Sequence, residues 1–191
     1  DEYGIQAKPY KETMLEKPLT LYGKSKLVIT QHLMTLNLTE GFPVSVVRPS
    51  VVYGPGQSTK MFLPFLASKI KKNLSLNMTL GDQFRDFIYI SDLINVLLKL
   101  SLDSSIGNGE VINVSNGNSY SIKDVATKFA NMIRPNGEIL LNIGAIEYRK
   151  EEVMDYFVSN EKARNLLNWY PEVTLDTGLN NISKSFLKVD E

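Results

Sequence analysis

The sequence predicts an α/β fold in which a largely parallel sheet is flanked by helices. Two short segments rich in β-branched residues, 44–47 and 111–115, are typical of buried parallel strands. Segments with helical periodicity alternate with these and other strand-like segments. The 191 residues suffice for one domain with a small appendage, and a composition that is 43% apolar and 22% charged is ordinary for a globular protein.

The first half of the chain contains the predicted elements that matter most for function. Residues 1–18 are polar and contain proline, which predicts a loop, and residues 19–40 predict one long helix that ends at Gly41. The strand at 44–47 is followed by a segment dense in proline and glycine, 48–56, which predicts a loop at the carboxyl end of that strand. Ligands of open α/β sheets bind at that edge.

The second half continues the alternation of helices and strands. Its predicted elements are a helix at 60–72, strands at 78–80 and 86–90, a helix capped by Ser91 that runs to 102, a strand at 111–115, a helix opened by Ser121 and Asp124, a strand at 139–143, and two helices capped by Ser159 and Asp176. Asp86 and Asp92 are predicted to have structural roles, the second as a helix N-terminal acid, and Trp169 is predicted to anchor a core.

Composition excludes several classes of function. Lys and Arg together number 21, as do Asp and Glu, so no basic excess indicates a nucleic-acid partner. The chain has no cysteine, which excludes disulfides and thiolate metal sites and is compatible with a cytoplasmic location. His32 is the only histidine, so we predict no metal site. No apolar run approaches the roughly 18 residues that span a membrane, and we predict no membrane partner.

The most informative local pattern is Tyr22-Gly-Lys-Ser-Lys26 on the long helix. Residues four apart lie on one helical face, so the ammonium of Lys26 is expected beside the hydroxyl of Tyr22. A neighbouring cation favours the ionised phenol and makes it a candidate acid/base. Most Tyr/Lys pairs at this spacing only form a solvated helix surface, and the pattern therefore needs support from the rest of the chain.

That support comes from a set of further landmarks in a fixed order. They are Tyr3-Gly4, Glu12, Pro18, Arg48-Pro, Val52-Tyr-Gly-Pro-Gly56, Gly81-Asp, Arg85-Asp-Phe-Ile-Tyr-Ile-Ser-Asp92, Ile112-Asn-Val, Arg149, Leu167-Asn-Trp-x-Pro171 and Gly178-Leu179. With them, nearly the whole chain resembles the later part of an extended short-chain dehydrogenase/reductase of the nucleotide-sugar epimerase/dehydratase group.

The resemblance implies a reaction and a cofactor. Tyr22 would be the catalytic acid/base, and Lys26 would hold the nicotinamide ribose and stabilise the phenolate. Pro49 and Val51 would line the cofactor site, and Tyr53 would lie in a turn near nicotinamide and substrate. The cofactor would be NAD or NADP, with NAD favoured, and hydride transfer would take place at a sugar carbon.

The resemblance also implies how the partner, a nucleotide-diphosphate sugar, would be held. Arg85 would bind the diphosphate, for which a planar guanidinium fork is suited; the alternative is a salt bridge to a nearby carboxylate such as Asp86. Arg149 and Glu152 resemble the family's Arg-x-x-Asp pair, which contacts phosphate and nucleotide ribose. The alternative for this pair is a solvated charged face.

Three departures from the family limit what the chain is expected to do. No Gly-x-x-Gly-x-x-Gly dinucleotide fingerprint is present, the family's substrate-binding Ser/Thr would fall before residue 1, and Val51 replaces a frequent Asn. We therefore expect an incomplete NAD(P)-binding Rossmann fold with a small C-terminal α/β substrate-binding subdomain. Residues 1–58 would belong to the first part and 59–191 mainly to the second, with about 86–115 returning to the Rossmann sheet. The 191 residues alone are expected to be inactive.

Several functions remain open at this point. The resemblance favours a nucleotide-sugar 4-epimerase or a 4-keto-sugar reductase, and the intact protein is expected to be a homodimer. Asp1-Glu2 is similar to the acidic pair of the 4,6-dehydratases, but it lies one residue out of register. A non-catalytic binding module of the same fold is a further alternative. NAD versus NADP, the nucleotide and the sugar are not determined by these residues.

Overall fold

The computed structural model describes residues 1–103, 105–135 and 141–187 and confirms the α/β class. The elements are, in order, α1 (Leu21–Glu40), β1 (Ser45–Pro49), β2 (Val51–Tyr53), α2 (Phe62–Lys71), β3 (Leu76–Met78), β4 (Phe84–Tyr89), α3 (Ile90–Leu102), β5 (Glu110–Val114), β6 (Ser119–Ser121), α4 (Ile122–Ile133), β7 (Leu141–Ile143), β8 (Asp155–Tyr156), α5 (Glu161–Leu167) and α6 (Leu175–Leu187).

Parallel pairing dominates the sheets, as predicted. β1 pairs with β5, β2 with β4, and β3 with β7, each in parallel. The first half of β4 has two further partners, because β8 joins it in parallel and β6 joins it antiparallel. Arg85 of β4 thereby lies in register with Tyr156 of β8. β4 is the strand that brings the distant segments of the chain together.

Two of the three apolar clusters of the described residues form most of the core. The larger lies between β2, β4 and the helices α2, α4 and α6, and its fully buried members include Leu66, Phe129 and Leu179. The smaller joins β4 and β5 to α3 and α5. Trp169, only 3% exposed, belongs to the smaller cluster, which confirms its predicted role as an anchor. The predicted boundary near residue 58 stays a prediction.

Helix α1 has well-defined ends but a largely exposed surface. The Thr20 hydroxyl accepts a hydrogen bond from the Gly23 amide at 3.0 Å, and Gly41, with φ of 65°, ends the helix as predicted. Gly23 and Thr30 are the buried residues of this helix. Tyr22, in the first turn, is therefore free to meet a ligand.

The segment 48–56 is not a continuous loop, which corrects the sequence prediction. β1 extends through Pro49, and Val51–Tyr53 forms β2. Pro49 cannot donate a ladder hydrogen bond, but β1 pairs only with β5 among the described residues, and an edge strand tolerates proline. The strand predicted at 78–80 ends at Met78, and the one predicted at 139–143 is described from Leu141 onward.

Helix caps were predicted less well than helices. Ser121 does cap α4, accepting from the Asp124 amide at 3.0 Å. Ser91 lies inside α3, which begins at Ile90. Ser159 stands one residue before the N-cap of α5, and its hydroxyl accepts from the Glu161 amide at 3.3 Å. At the start of α6 the Thr174 hydroxyl, and not Asp176, accepts from the Thr177 amide at 3.2 Å.

Asp86 is a structural carboxylate, as predicted. It is fully buried and accepts from the Ser50 hydroxyl and from the amides of Asn116 and Gly117, each at 2.8 Å. Burial raises the pKa of the Asp86 carboxyl, and these hydrogen bonds oppose the rise. The carboxylate thus ties β4 to the turn after β5 and to Ser50 between β1 and β2.

Replacing this carboxylate by an amide tests its structural role. Asp86→Asn should lower the free energy of unfolding by about 2 kcal/mol, because one of its three donors would then face an NH₂ group. Chemical denaturation of the intact protein, expressed from its complete coding sequence, measures this. Asp82→Asn, at an exposed position four residues earlier, is the matched control; equal effects of the two variants would contradict the assignment.

Candidate active site

A pocket of about 460 Å³ lies where β1 ends and β2 begins. Its lining includes Pro49, Ser50 and Val51, the segment 149–153, and Arg85 and Tyr156. The remaining lining comes from the N-terminal segment: Asp1, Gly4, Leu19 and Thr20. The pocket thus lies at the carboxyl end of a parallel strand, where ligands of open α/β sheets bind.

Most of the predicted site residues come together at this pocket. Pro49, Val51, Arg85, Arg149 and Glu152 all line it, although they come from three separate stretches of the chain. Two of these stretches are joined by the pairing of β4 with β8. The segment that carries Arg149 therefore reaches the site through a strand that the sequence analysis missed.

Three predicted site residues, Tyr22, Lys26 and Tyr53, are not part of the pocket lining, and Tyr53 is the buried one among them. Its side chain is 2% exposed and packs edge-on against Phe87 and Tyr89 in the larger core. Its hydroxyl lies against Gly178, where an added Cβ would meet it at 2.1 Å, and burial raises its pKa. The predicted substrate contact of Tyr53 is therefore corrected to a packing role.

Arg85 and Glu152 form an ion pair within the pocket, through Nη2 of the arginine and Oε1 of the glutamate. The arginine also donates from Nη1 to the Phe84 carbonyl at 2.7 Å. Burial lowers the pKa of Arg85, and the charge of Glu152 opposes this change. The alternative of a salt bridge is thus realised for Arg85, but with Glu152 and not with Asp86.

Tyr22 and Lys26 lie on the first two turns of α1 and are not part of the pocket lining. Tyr22 is 60% exposed, and Lys26 Nζ lies 5.3 Å from the centroid of its ring. The ammonium thus stands over the aromatic face, whereas the sequence analysis expected it beside the hydroxyl. The residues just before the helix, Leu19 and Thr20, are part of the pocket wall. Tyr22 thus follows the pocket lining by two residues in the chain.

A buried cluster of charged residues is centred on Arg48, the residue before the pocket residue Pro49. Arg48 of β1, 8% exposed, binds Glu2 at 2.5 Å and Glu16 at 2.9 Å, and its guanidinium lies 5.0 Å from the ring centroid of Tyr3. Burial works against the charge of Arg48, but these partners raise its pKa overall. Glu2 also accepts from the Thr30 hydroxyl of α1 at 3.4 Å. The cluster therefore connects β1, the N-terminal segment and α1.

Tyr156 and Ser50 are pocket residues that the sequence analysis did not identify. Burial raises the pKa of Tyr156, so its hydroxyl stays protonated and can donate a hydrogen bond at neutral pH. The signal for it would have been the register of β8 with β4, which sets Tyr156 opposite Arg85. A two-residue strand has no periodicity from which that register could be read.

The residues present fit one end of a dinucleotide. The exposed Tyr22/Lys26 face could meet a nicotinamide ribose, and Pro49 and Val51 could pack beside the ring. The sequence contains no glycine-rich loop of the kind that binds the pyrophosphate. The described residues contain no group of three or more His, Cys, Asp or Glu that could hold a metal, and no helix among them is long and apolar enough to cross a membrane.

The fold and the pocket define a Rossmann-type α/β protein with an arginine-lined site beside a Tyr/Lys helix. The sequence profile of the family described as "GDP-mannose 4,6 dehydratase" matches residues 1–182. The chain belongs to this family, within the nucleotide-sugar epimerase/dehydratase group of the extended short-chain dehydrogenases/reductases. The resemblance proposed from the sequence is thereby confirmed.

Curated relatives and solved structures agree with this assignment. CDP-abequose synthase from Salmonella typhimurium is 30% identical over 140 residues, which are 72% of this chain and 46% of that protein. RMD from Pseudomonas aeruginosa complexed with NADPH superposes with a TM-score of 0.83 at 27% identity, over 97% of this chain and 63% of that one.

A third relative is UDP-glucuronic acid 4-epimerase from Bacillus cereus in complex with UDP-glucuronic acid and NAD. It superposes with a TM-score of 0.88 at 26% identity, over 98% of this chain and 59% of that one. The chain spans about half the length of the curated relatives that it matches. The activity of the whole protein is accordingly a matter of proposal.

Proposed function

We propose that the intact protein is an NAD(P)-dependent nucleotide-sugar enzyme that transfers a hydride at C4 of the sugar, as a 4-epimerase or a 4-keto-sugar reductase. The observation that carries this proposal is the location of the candidate proton-transfer and phosphate-binding residues. The exposed Tyr22/Lys26 pair lies on the helix that begins directly after the pocket residues Leu19 and Thr20, and Arg85 and Arg149 line the same pocket. A candidate proton-transfer group thus follows the pocket lining by two residues in the chain, and candidate phosphate-binding cations lie within that lining.

Tyr22 would handle the proton of the reaction. When a sugar hydroxyl is oxidised, its proton passes to the phenolate oxygen of Tyr22, and the reverse step returns that proton to a ketone oxygen. The ammonium of Lys26 would stabilise the phenolate and hold the ribose of the cofactor. The bound NAD(P) supplies the hydride acceptor or donor. We favour NAD, although the relatives described above contain NADPH in one case and NAD in another.

The arginines would hold the nucleotide part of the substrate. Arg149 and Lys150 are exposed on the pocket wall and have no carboxylate partner among the described residues. Together with Arg85 they present three cations to a diphosphate, whose oxygens match the guanidinium fork. Tyr156 adds a half-buried hydroxyl donor to the same pocket lining. These groups select the diphosphate and leave the choice of nucleobase open.

The structure offers little support for a 4,6-dehydratase that would use the acidic pair at the N-terminus. Glu2 is largely shielded from solvent, and its carboxylate already forms an ion pair with Arg48 and accepts a hydrogen bond from Thr30. Asp1 does line the pocket, but the one-residue offset in register remains. We further propose a homodimeric and cytoplasmic enzyme, on the strength of the family resemblance.

Cofactor stoichiometry distinguishes the two proposed activities. A 4-epimerase reoxidises its own intermediate, so the purified intact protein should retain about one NAD(P) per subunit and turn over without added cofactor. A 4-keto-sugar reductase should consume one NAD(P)H per product. Mass spectrometry of the denatured protein and absorbance at the nicotinamide band measure the two outcomes. An intact protein that neither retains nor consumes a nicotinamide cofactor with any UDP-, GDP- or CDP-hexose would refute the proposal and favour a non-catalytic binding module.

A further inference from the structure

We propose that Glu152 makes the pocket prefer phosphate ligands with two or more negative charges, such as a diphosphate, over singly charged ones. The reason is that its carboxylate competes with the ligand for Arg85. This inference rests on the proposed function, since it takes the pocket to be a diphosphate site. It assigns to Glu152 a role in selecting the charge of the ligand, beyond the contact to a ribose that the family resemblance implies.

The contacts of Arg85 show why a competitor matters. Nη1 donates to the Phe84 carbonyl at 2.7 Å, and Nη2 is paired with Glu152. Both side chains are well shielded from water, at 18% exposed for Arg85 and 21% for Glu152. A phosphate oxygen that approaches the same face of the guanidinium must therefore displace the carboxylate, since the strong charge-assisted donor is already in use.

The charges of the pocket lining favour ligands that carry more than one negative charge. Its side chains include three cations, Arg85, Arg149 and Lys150, and three anions, Asp1, Glu151 and Glu152, so their formal sum is zero. A singly charged phosphate that replaces Glu152 exchanges one anion for another and gains little. A diphosphate can replace the carboxylate at Arg85 and still present a second charge to Arg149 or Lys150.

The position of Glu152 in the chain allows this exchange. The residue lies in an irregular segment between β7 and β8, where its amide donates to the Arg149 carbonyl at 3.0 Å. Rotation of its side chain frees Arg85 without disturbing a helix or a strand. Glutamate reaches one methylene further than an aspartate would at this position, and this longer reach suits the contact with Arg85.

Titration calorimetry of the intact protein with three small probes tests the proposal. The titrations are run at a mildly acidic pH, at which inorganic phosphate carries mainly one negative charge and inorganic pyrophosphate mainly two. The third probe is the phosphate-free nucleoside uridine. Glu152→Gln should tighten phosphate binding by about tenfold, the worth of a charge-assisted hydrogen bond. It should tighten pyrophosphate binding less, and so reduce the discrimination between the two probes. Glu152→Ala should shift both affinities in the same direction.

Glu151→Gln is the matched control, because it removes the same formal charge from the same pocket at an exposed residue with no ion pair among the described residues. Its effect should stay below about twofold. Phosphate and pyrophosphate binding that is unchanged or weaker in Glu152→Gln would overturn the inference, although the diphosphate site would remain. Weakening of uridine binding alone would likewise overturn it, because Glu152 would then contact the nucleoside. Absence of pyrophosphate binding in the wild type and all variants would overturn both this inference and the proposed substrate class.

Discussion

Tyr22→Phe should reduce kcat of the intact protein by about 10²–10⁴-fold while changing the KM for the nucleotide sugar only slightly. The substitution removes the hydroxyl that we propose as the proton-transfer group, and general acid/base catalysis contributes a factor of that size. The ring and its contact with Lys26 remain, since the ammonium lies over the aromatic face. The loss should therefore appear in the chemical step and not in binding.

Tyr170→Phe is the matched control for this measurement. Tyr170 is also an exposed tyrosine whose ring carries a cation, with the Arg164 guanidinium 4.7 Å from its centroid, but it lies outside the pocket lining. Its loss should leave kcat unchanged. If Tyr22→Phe turned over nucleotide sugars as fast as the wild type, Tyr22 would have no role as the proton-transfer group.

Arg48→Met should lower the free energy of unfolding by about 3–5 kcal/mol, the largest effect on stability that the structure predicts. The substitution keeps an unbranched side chain but leaves Glu2 and Glu16 without their cation in a site where Arg48 itself is only 8% exposed. Two carboxylates would then face each other with their charges uncompensated. Urea denaturation of the intact protein, followed by circular dichroism, measures the loss.

Two further variants separate the buried cluster from ion pairing in general. Lys11→Met breaks an exposed pair with Glu161, at 3.3 Å, and should cost less than about 1 kcal/mol. Adding Glu2→Gln and Glu16→Gln to Arg48→Met should recover part of the stability, because the uncompensated charges are removed. A loss no larger than that of Lys11→Met would show that Arg48 does not hold the N-terminal segment to β1.

The cluster around Arg48 also links stability to function. β1 ends at Pro49, and the next two residues form the pocket wall, while Glu2 connects the same arginine to Thr30 of the Tyr22 helix. Weakening this cluster should therefore destabilise the pocket lining at Pro49, Ser50 and Val51 as well as the fold. The ion pairs of Arg48 with Glu2 and Glu16 therefore explain why an arginine occupies the Arg48-Pro landmark.

Long helices and buried strands could be predicted from the sequence because their patterns are local. The helix that carries Tyr22 ends at Gly41 as predicted, since only a positive φ completes that cap. β6 and β8 were missed because they are three and two residues long and exist only through pairing with β4. No periodicity within such short segments indicates a partner that lies far away in the chain.

The candidate site was predicted as a set of residues, but not as a set of contacts. Arg85 and Glu152 were each identified, yet nothing local indicates that two residues 67 positions apart form a pair. Tyr53 was expected in a turn, but β2 directs its ring into the core beside Gly178. In each case the missing information was strand register, which is set by non-local pairing.

The fate of the hydrogen at C4 shows whether the protein transfers a hydride between the sugar and the nicotinamide. The intact protein would be incubated with NAD(P)⁺ and a panel of UDP-, GDP- and CDP-hexoses that carry deuterium at C4, and the products would be analysed by mass spectrometry. We expect deuterium from a turned-over substrate to move to the nicotinamide, and in an epimerase to return to C4, without entering water. Release of that deuterium into solvent, or turnover with no transfer to the nicotinamide, would contradict it.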